Sequence, residues 1–174
     1  MFKELNNLCI FFEAPTQEFS VREVAKLLKI VPATASKQLK LFEKEGILKY
    51  RKERILDLYS ANLESDVYRD LKMYYNLTQL RNSGLIESLN KRYLKPTLIL
   101  LGSFSKGLDT EESDIDLVII SEVTKEFPER KHYENVLRRT IHLFLVKDIK
   151  ELKNTHLINS ILNGVVVQGE LRWI

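Results

Sequence analysis

Thr97–Ile120 reads TLILLGSFSKGLDTEESDIDLVII, two apolar runs separated by a polar turn. The first run, Thr97 to Leu101, follows Pro96 and has the length and apolar character of a buried strand. It leads into Gly102-Ser103-Phe104-Ser105-Lys106-Gly107, and a turn-like segment from Asp109 to Ser113 follows. A second strand then starts on two carboxylates, Asp114-Ile115-Asp116, ahead of Leu117-Val118-Ile119-Ile120. Residues two apart on a strand share a face, so Asp114 and Asp116 can converge on one cation. A hard metal such as Mg²⁺ relieves their repulsion, and it takes one or two carboxylates together with substrate phosphates. Gly102 lets the backbone approach an anion, and the N–H groups and hydroxyls of Ser103 and Ser105 can bond phosphate oxygens. No Gly-Lys-Ser/Thr follows at the spacing of a Walker A loop.

Gly-Ser, ten residues, then Asp-x-Asp at the head of an apolar strand resembles the nucleotidyltransferase superfamily related to polymerase β, above all its minimal members. The likeness spans about residues 95–146. The resemblance implies a mixed sheet backed by helices over residues 95–174, with metal ions (Mg²⁺ or Mn²⁺) on Asp114 and Asp116. It implies a triphosphate, expected to be ATP, held by Gly102, Ser103, Ser105 and Lys106. It further implies transfer of a nucleoside monophosphate with release of pyrophosphate. Lys106 stands where minimal members often carry arginine. The family usually places a third carboxylate on a following strand; here the candidate strand is Thr140 to Val146, and that place falls to His142. Two readings of His142 stand side by side. It ligates metal or takes a proton in catalysis, or it is a satisfied structural histidine. Glu129, Glu134 and Asp148 are the carboxylates nearest in sequence.

Toward the N-terminus, residues 63–94 read as a helical connector, with Val67, Leu71, Tyr74 and Tyr75 on one helix and Leu85, Ile86 and Leu89 on a second portion. Asn82-Ser83-Gly84 is the expected break. Before it, residues 1–62 alternate helix signals with a hairpin. Phe2 to Glu13 places Leu5, Leu8 and Phe12 on one face. Ser20-Val21-Arg22-Glu23 has the form of a capping box and opens a helix with Val24, Leu27 and Leu28 inward. Pro32 suits a first helical position, Ala35, Leu39 and Phe42 follow at helical spacing, and Gly46 supplies the stop. Ile47–Arg51 and Ile55–Tyr59 read as strands joined through Lys52-Glu53-Arg54.

Helix, turn, helix and hairpin, clearest from Ile30 to Leu48, resemble the winged helix-turn-helix family of DNA-binding modules. The resemblance implies that the second helix of the pair lies in the major groove of double-stranded DNA. It places Thr34, Ser36, Lys37, Gln38 and Lys40 on the helix's DNA side, with Gln38 able to pair an adenine edge. Lys49, Arg51, Lys52 and Arg54 would come from the wing. The charge distribution agrees in sign. Lys26 to Arg54 carries nine basic residues against three acidic ones, whereas Lys95 to the end carries eleven against twelve.

The whole chain of 174 residues is expected to be an α+β protein of ordinary globular composition, 44% hydrophobic and 29% charged. Its one cysteine, Cys9, excludes an internal disulfide framework, points to a reducing cytoplasm, and reads as a buried small hydrophobe. The run Leu8–Phe12 is too short for a membrane span and lacks the flanks of a signal peptide. The tail reads as a helix through Leu157, Ile161 and Leu162, a break at Gly164 and an apolar ending in which Trp173 packs. Three functional classes fit this pattern: a DNA-linked nucleotidyltransferase acting on a small molecule or protein, a regulator that senses a nucleotide and turns over poorly, and an antitoxin acting on a cognate toxin. A homodimer is compatible with each.

Overall fold

The computed structural model describes residues 6–171, and the chain divides between Tyr75 and Asn76 into two compact units. Leu5 and Trp173, both expected to pack, lie outside the described residues.

In the first unit a 3₁₀ turn, Asn6–Leu8, runs into α1, Cys9–Glu13. A three-residue strand, β1 (Glu18–Ser20), precedes α2 (Val21–Leu28) and α3 (Pro32–Lys44), and a hairpin of β2 (Leu48–Glu53) and β3 (Leu56–Ala61) follows. The capping box forms: the Ser20 hydroxyl accepts from the Glu23 amide at 3.3 Å, and the Glu23 carboxylate accepts from the Ser20 amide at 2.8 Å. The Ser20 hydroxyl, which donates to the Glu23 carboxylate at 2.7 Å, and then the Ser20 amide hold the Glu23 carboxyl below the usual carboxylate range. Reciprocal caps of this kind contribute about 1 kcal/mol each. Lys29, at φ 54, then turns the chain into α3, whose Pro32 sits in the first turn.

Ala35, Leu39 and Phe42 are buried with Leu8, Phe11, Phe12, Val24 and Tyr59 in one core. Leu27 departs from the expected apolar face, since it is exposed and Ala25 takes the inward place. The hairpin link is also tighter than its sequence suggests, because pairing runs out to Glu53↔Leu56 and leaves Arg54 and Ile55 as the turn. The sheet has the order β1-β3-β2, antiparallel throughout. Half-buried Cys9 has its thiol pushed up, first by desolvation and then by Glu13, so it is a weak nucleophile at neutral pH.

Helix α4 (Asp66–Asn82) gives Tyr68 to the core of the first unit and Leu80 to that of the second. It ends at Ser83-Gly84, where Gly84 takes φ +81, and α5 (Leu85–Tyr93) follows. The rest of the second unit is β4 (Thr97–Leu100), β5 (Ile115–Ile120), α6 (Arg130–Leu137), β6 (Ile141–Val146), α7 (Thr155–Leu162) and β7 (Val165–Gln168). Its sheet is mixed, in the order β6-β5-β4-β7. Strand β5 is parallel to β6 and antiparallel to β4, and β7 is antiparallel to β4.

Strand alternation sorts the side chains into two layers. Leu98, Leu100, Ile115, Leu117, Ile119 and Ile141 pack with Leu80, Leu85, Leu89 and Tyr93 of α4 and α5. On the opposite face Ile99, Leu101 and Val118 pack with Ile149 and Ile161. Both faces of β4 and β5 are therefore covered except at Asp116, as their near-continuous apolar sequence requires. The α+β architecture, with its helical connector and mixed C-terminal sheet, is the expected one. Among the described residues no helix is long and apolar enough to cross a membrane.

Candidate active site

Strand β4 does not stop pairing at its last residue. The Leu101 amide donates to the Asp116 carbonyl at 2.8 Å, which brings the end of one strand against the start of the other. Gly102 then reverses the chain at φ +69. A Cβ built on Gly102 would lie 2.9 Å from Asp116 Oδ2, so the carboxylate occupies the space that any other residue's side chain would fill. This glycine is required twice, once by backbone conformation and once by the approach of Asp116.

The turn after Gly102 is tied by its own backbone. The Lys106 and Leu108 amides both donate to the Ser103 carbonyl at 3.0 Å. Ser105 is buried and its hydroxyl donates to the Gly102 carbonyl at 2.8 Å. That hydroxyl braces the turn. Ser103 and Lys106 differ from it: half-buried and exposed respectively, their side chains have no hydrogen-bond or ion-pair partner among the described residues.

Across the sheet, Asp116 stands in register with His142 of β6. His142 Nδ1 lies 3.1 Å from Asp116 Oδ1, with the two side chains 48% and 34% exposed. The Asp116 carboxylate is thus bracketed, Oδ1 by the imidazole and Oδ2 by the Gly102 backbone. His142 is therefore neither a core residue nor remote from the carboxylates; it occupies the neighbouring strand on the same face. Asp114 is exposed just ahead of β5, where the Ile115 amide donates to the Thr140 carbonyl at 2.9 Å.

Two of the other nearby carboxylates are engaged elsewhere. Glu134 accepts from the Ile141 amide at 3.2 Å, and Asp148 caps the short turn after β6 by accepting from the Lys150 amide at 2.9 Å. Among the described residues no group of three or more His, Cys, Asp or Glu side chains is arranged to hold a metal ion.

Residues 83–167 match the family described as Nucleotidyltransferase domain. A nucleotidyltransferase-family domain is present in the second half of this chain. It takes in α5, all four strands of the mixed sheet and the Gly102–Asp116–His142 constellation. No curated protein matches the chain.

A second set of residues in the second unit carries no sequence signal. Asp109 is buried and accepts from Arg139 Nη2 at 2.9 Å and from Asn76 Nδ2 at 2.7 Å. The three lie far apart in the chain, and no motif joins them.

The first unit presents its cations unevenly. Thr34, Lys37 and Lys40 are exposed on α3, and Ser36 is half-buried. Gln38, expected on an adenine edge, has its amide oxygen taken by Asn7 Nδ2 at 2.9 Å. Lys49 pairs with Glu64 at 2.9 Å, and Arg51 pairs with both Glu18 and Glu53. Lys52 and Arg54 have no ion-pair partner among the described residues.

Proposed function

We propose that the second unit binds a nucleoside triphosphate with Mg²⁺ or Mn²⁺ and transfers its nucleoside monophosphate to an acceptor. An acceptor oxygen attacks the α-phosphorus, the bond to the bridging oxygen breaks, and pyrophosphate leaves with the electron pair. The observation that carries this reading is the juxtaposition of Gly102, Asp116 and His142 at adjacent strand ends, beside a turn whose Ser103 and Lys106 side chains have no partner among the described residues.

The donor set suits one hard ion. Asp114 and Asp116 offer two carboxylates, which is what Mg²⁺ takes when phosphates and water complete its shell. Bound there, the ion neutralises charge on the phosphates and helps orient them. A second ion held by protein groups alone is not supported, because His142 replaces a negative ligand with a neutral one. Within the chain's own residues, Ser103 and the turn amides hold phosphate oxygens, and Lys106 offsets their charge. With its Nδ1 directed at the Asp116 carboxylate, His142 would take or return a proton through Nε2.

Calorimetric titration with ATP, GTP, CTP and UTP, with and without Mg²⁺ or Mn²⁺, tests the reading. At least one nucleotide is expected to bind in a metal-dependent way, with ATP the first choice. Failure of all four under both metals would remove the proposed site.

The first unit, on this reading, is a winged helix-turn-helix that binds double-stranded DNA. Its order of helix, strand, helix, helix and hairpin supports this, as do the cations of α3 and the wing. The ion pairs of Lys49 and Arg51 are exposed, and such pairs contribute about 0–1 kcal/mol, so phosphates can displace them readily. Replacing Lys37, Lys40, Lys52 and Arg54 together by alanine is expected to flatten the salt dependence of DNA affinity. Each phosphate left without its cation removes about 0.9 from the log–log slope. An unchanged slope in binding titrations at several salt concentrations would count against this face.

A specific observation favours one alternative. With His142 in place of a carboxylate, the domain can serve as a nucleotide sensor for a DNA-binding regulator, binding without fast turnover. Pyrophosphate release measured beside binding separates the two.

A further inference from the structure

Buried ion pairs are poor sources of stability, because desolvating both charges offsets most of their attraction. Asp109 and Arg139 are such a pair, with side chains 0% and 11% exposed. Their other bonds indicate what the pair does. Arg139 Nη1 donates to the Thr110 carbonyl at 2.6 Å and to the Ser113 carbonyl at 2.8 Å, so one guanidinium grips both ends of the turn that precedes Asp114. The turn is also closed from within, since the Thr110 amide donates to Ser113 Oγ at 2.9 Å.

Arg139 is fixed in its turn. Its own amide donates to the Glu134 carbonyl at the end of α6, and its guanidinium carbon lies 5.4 Å from the centroid of the Phe104 ring. On the other side of Asp109, Asn76 is buried and its Nδ2 donates both to Asp109 Oδ1 and to the Phe104 carbonyl at 2.9 Å. Phe104 directly follows Ser103, and Ser113 directly precedes Asp114. Both halves of the site, the phosphate turn and the carboxylate strand, therefore hang from one buried carboxylate.

We propose that Asp109, Arg139 and Asn76 are positioning residues that lock the Gly102–Lys106 turn and the Asp114–Asp116 carboxylates in mutual register for a metal–nucleotide. This rests on the nucleotide reading given above, and none of the three touches the ligand. The fork geometry of arginine matters: lysine keeps the charge facing Asp109 but, as a point donor, cannot span two carbonyls and a carboxylate at once.

The test uses Arg139→Lys and Asp109→Asn in the full chain, with melting temperature, hydrogen exchange of amides 110–116, and ATP affinity with and without Mg²⁺. Asp109→Asn leaves a guanidinium uncompensated and can unfold the domain. Arg139→Lys, which keeps the ion pair, is the variant on which the proposal stands. Expected for Arg139→Lys is a melting temperature within a few degrees of wild type and exchange at 110–116 raised at least about tenfold above the rest of the unit. Metal-dependent ATP affinity is expected to fall about tenfold to a hundredfold, the range typical of supporting residues around a metal site. Metal-independent binding stays as it was.

Unchanged exchange at 110–116, or a rise spread evenly over the second unit, would overturn the proposal and leave the pair a structural one. Absence of metal-dependent binding in the wild type would instead defeat the nucleotide reading. The clamp would then be judged on local exchange alone.

Discussion

Replacing Asp116 by asparagine is expected to lower metal-dependent nucleotide affinity by at least about a hundredfold while the domain stays folded. Residues that merely support a metal ligand already change affinity by about ten- to a hundredfold, so removal of a ligand charge belongs at or beyond that range. Asparagine matches aspartate in shape, fits the same space beside Gly102, and can still hydrogen-bond His142 Nδ1, so packing is preserved. The side chain is one-third exposed, which further limits any loss of stability. Titrations of ATP with and without Mg²⁺ provide the measurement, beside a melting curve for each protein. The metal-free component should be the same in both proteins, because the phosphate turn is untouched. His142→Ala serves as a contrast, with a smaller loss expected from a half-exposed partner that brings no negative charge. An Asp116→Asn protein that binds metal–ATP as the wild type does would place the nucleotide elsewhere.

The strands of this site are legible because their signals are local. A five-residue apolar run, a glycine at the reversal and two aspartates at a strand head are written in consecutive residues, and β4 and β5 lie where those residues put them. The place of His142 is legible at one remove, since a single apolar run, Thr140 to Val146, offers the next strand and its second polar position faces Asp116. What stays hidden depends on partners distant in sequence. Asp109 reads as one more polar turn residue until Arg139, thirty positions on, is seen to reach it.

Ser105 shows the limit from another side. Its residue type suits a phosphate, but burial turns its hydroxyl onto the Gly102 carbonyl, and burial depends on the whole layer above the turn. Strand β1 escapes a sequence reading for a simpler reason: three residues, Glu18–Ser20, are too few to display a period of two. In the first unit the helices are readable from caps and spacing. Leu27 is not, because its hydrophobicity suits the core face while the packing of α2 selects the smaller Ala25.

Substituting Gly102 by alanine is expected to strike the site with little harm to the fold. At φ +69 an L-residue costs about 1–2 kcal/mol in backbone strain. The added methyl also meets Asp116 Oδ2 at 2.9 Å, closer than real Cβ atoms come to a neighbour. That oxygen is the far end of a side chain, so the carboxylate swings aside and the sheet does not have to move. The strain therefore appears as lost stability, and the swing appears as lost metal binding, at least about tenfold where an ion depends on that oxygen. Gly84→Ala separates the two effects. Gly84 has φ +81 and open space where a Cβ would lie, so the same backbone strain arises with nothing displaced. Both variants should melt lower by similar amounts, about 1–2 kcal/mol in denaturant titrations, and only Gly102→Ala should lose metal-dependent ATP binding. Equal binding by the two variants would mean that the Asp116 carboxylate is not held where the ligand needs it, and its approach to Gly102 would then be a matter of packing alone.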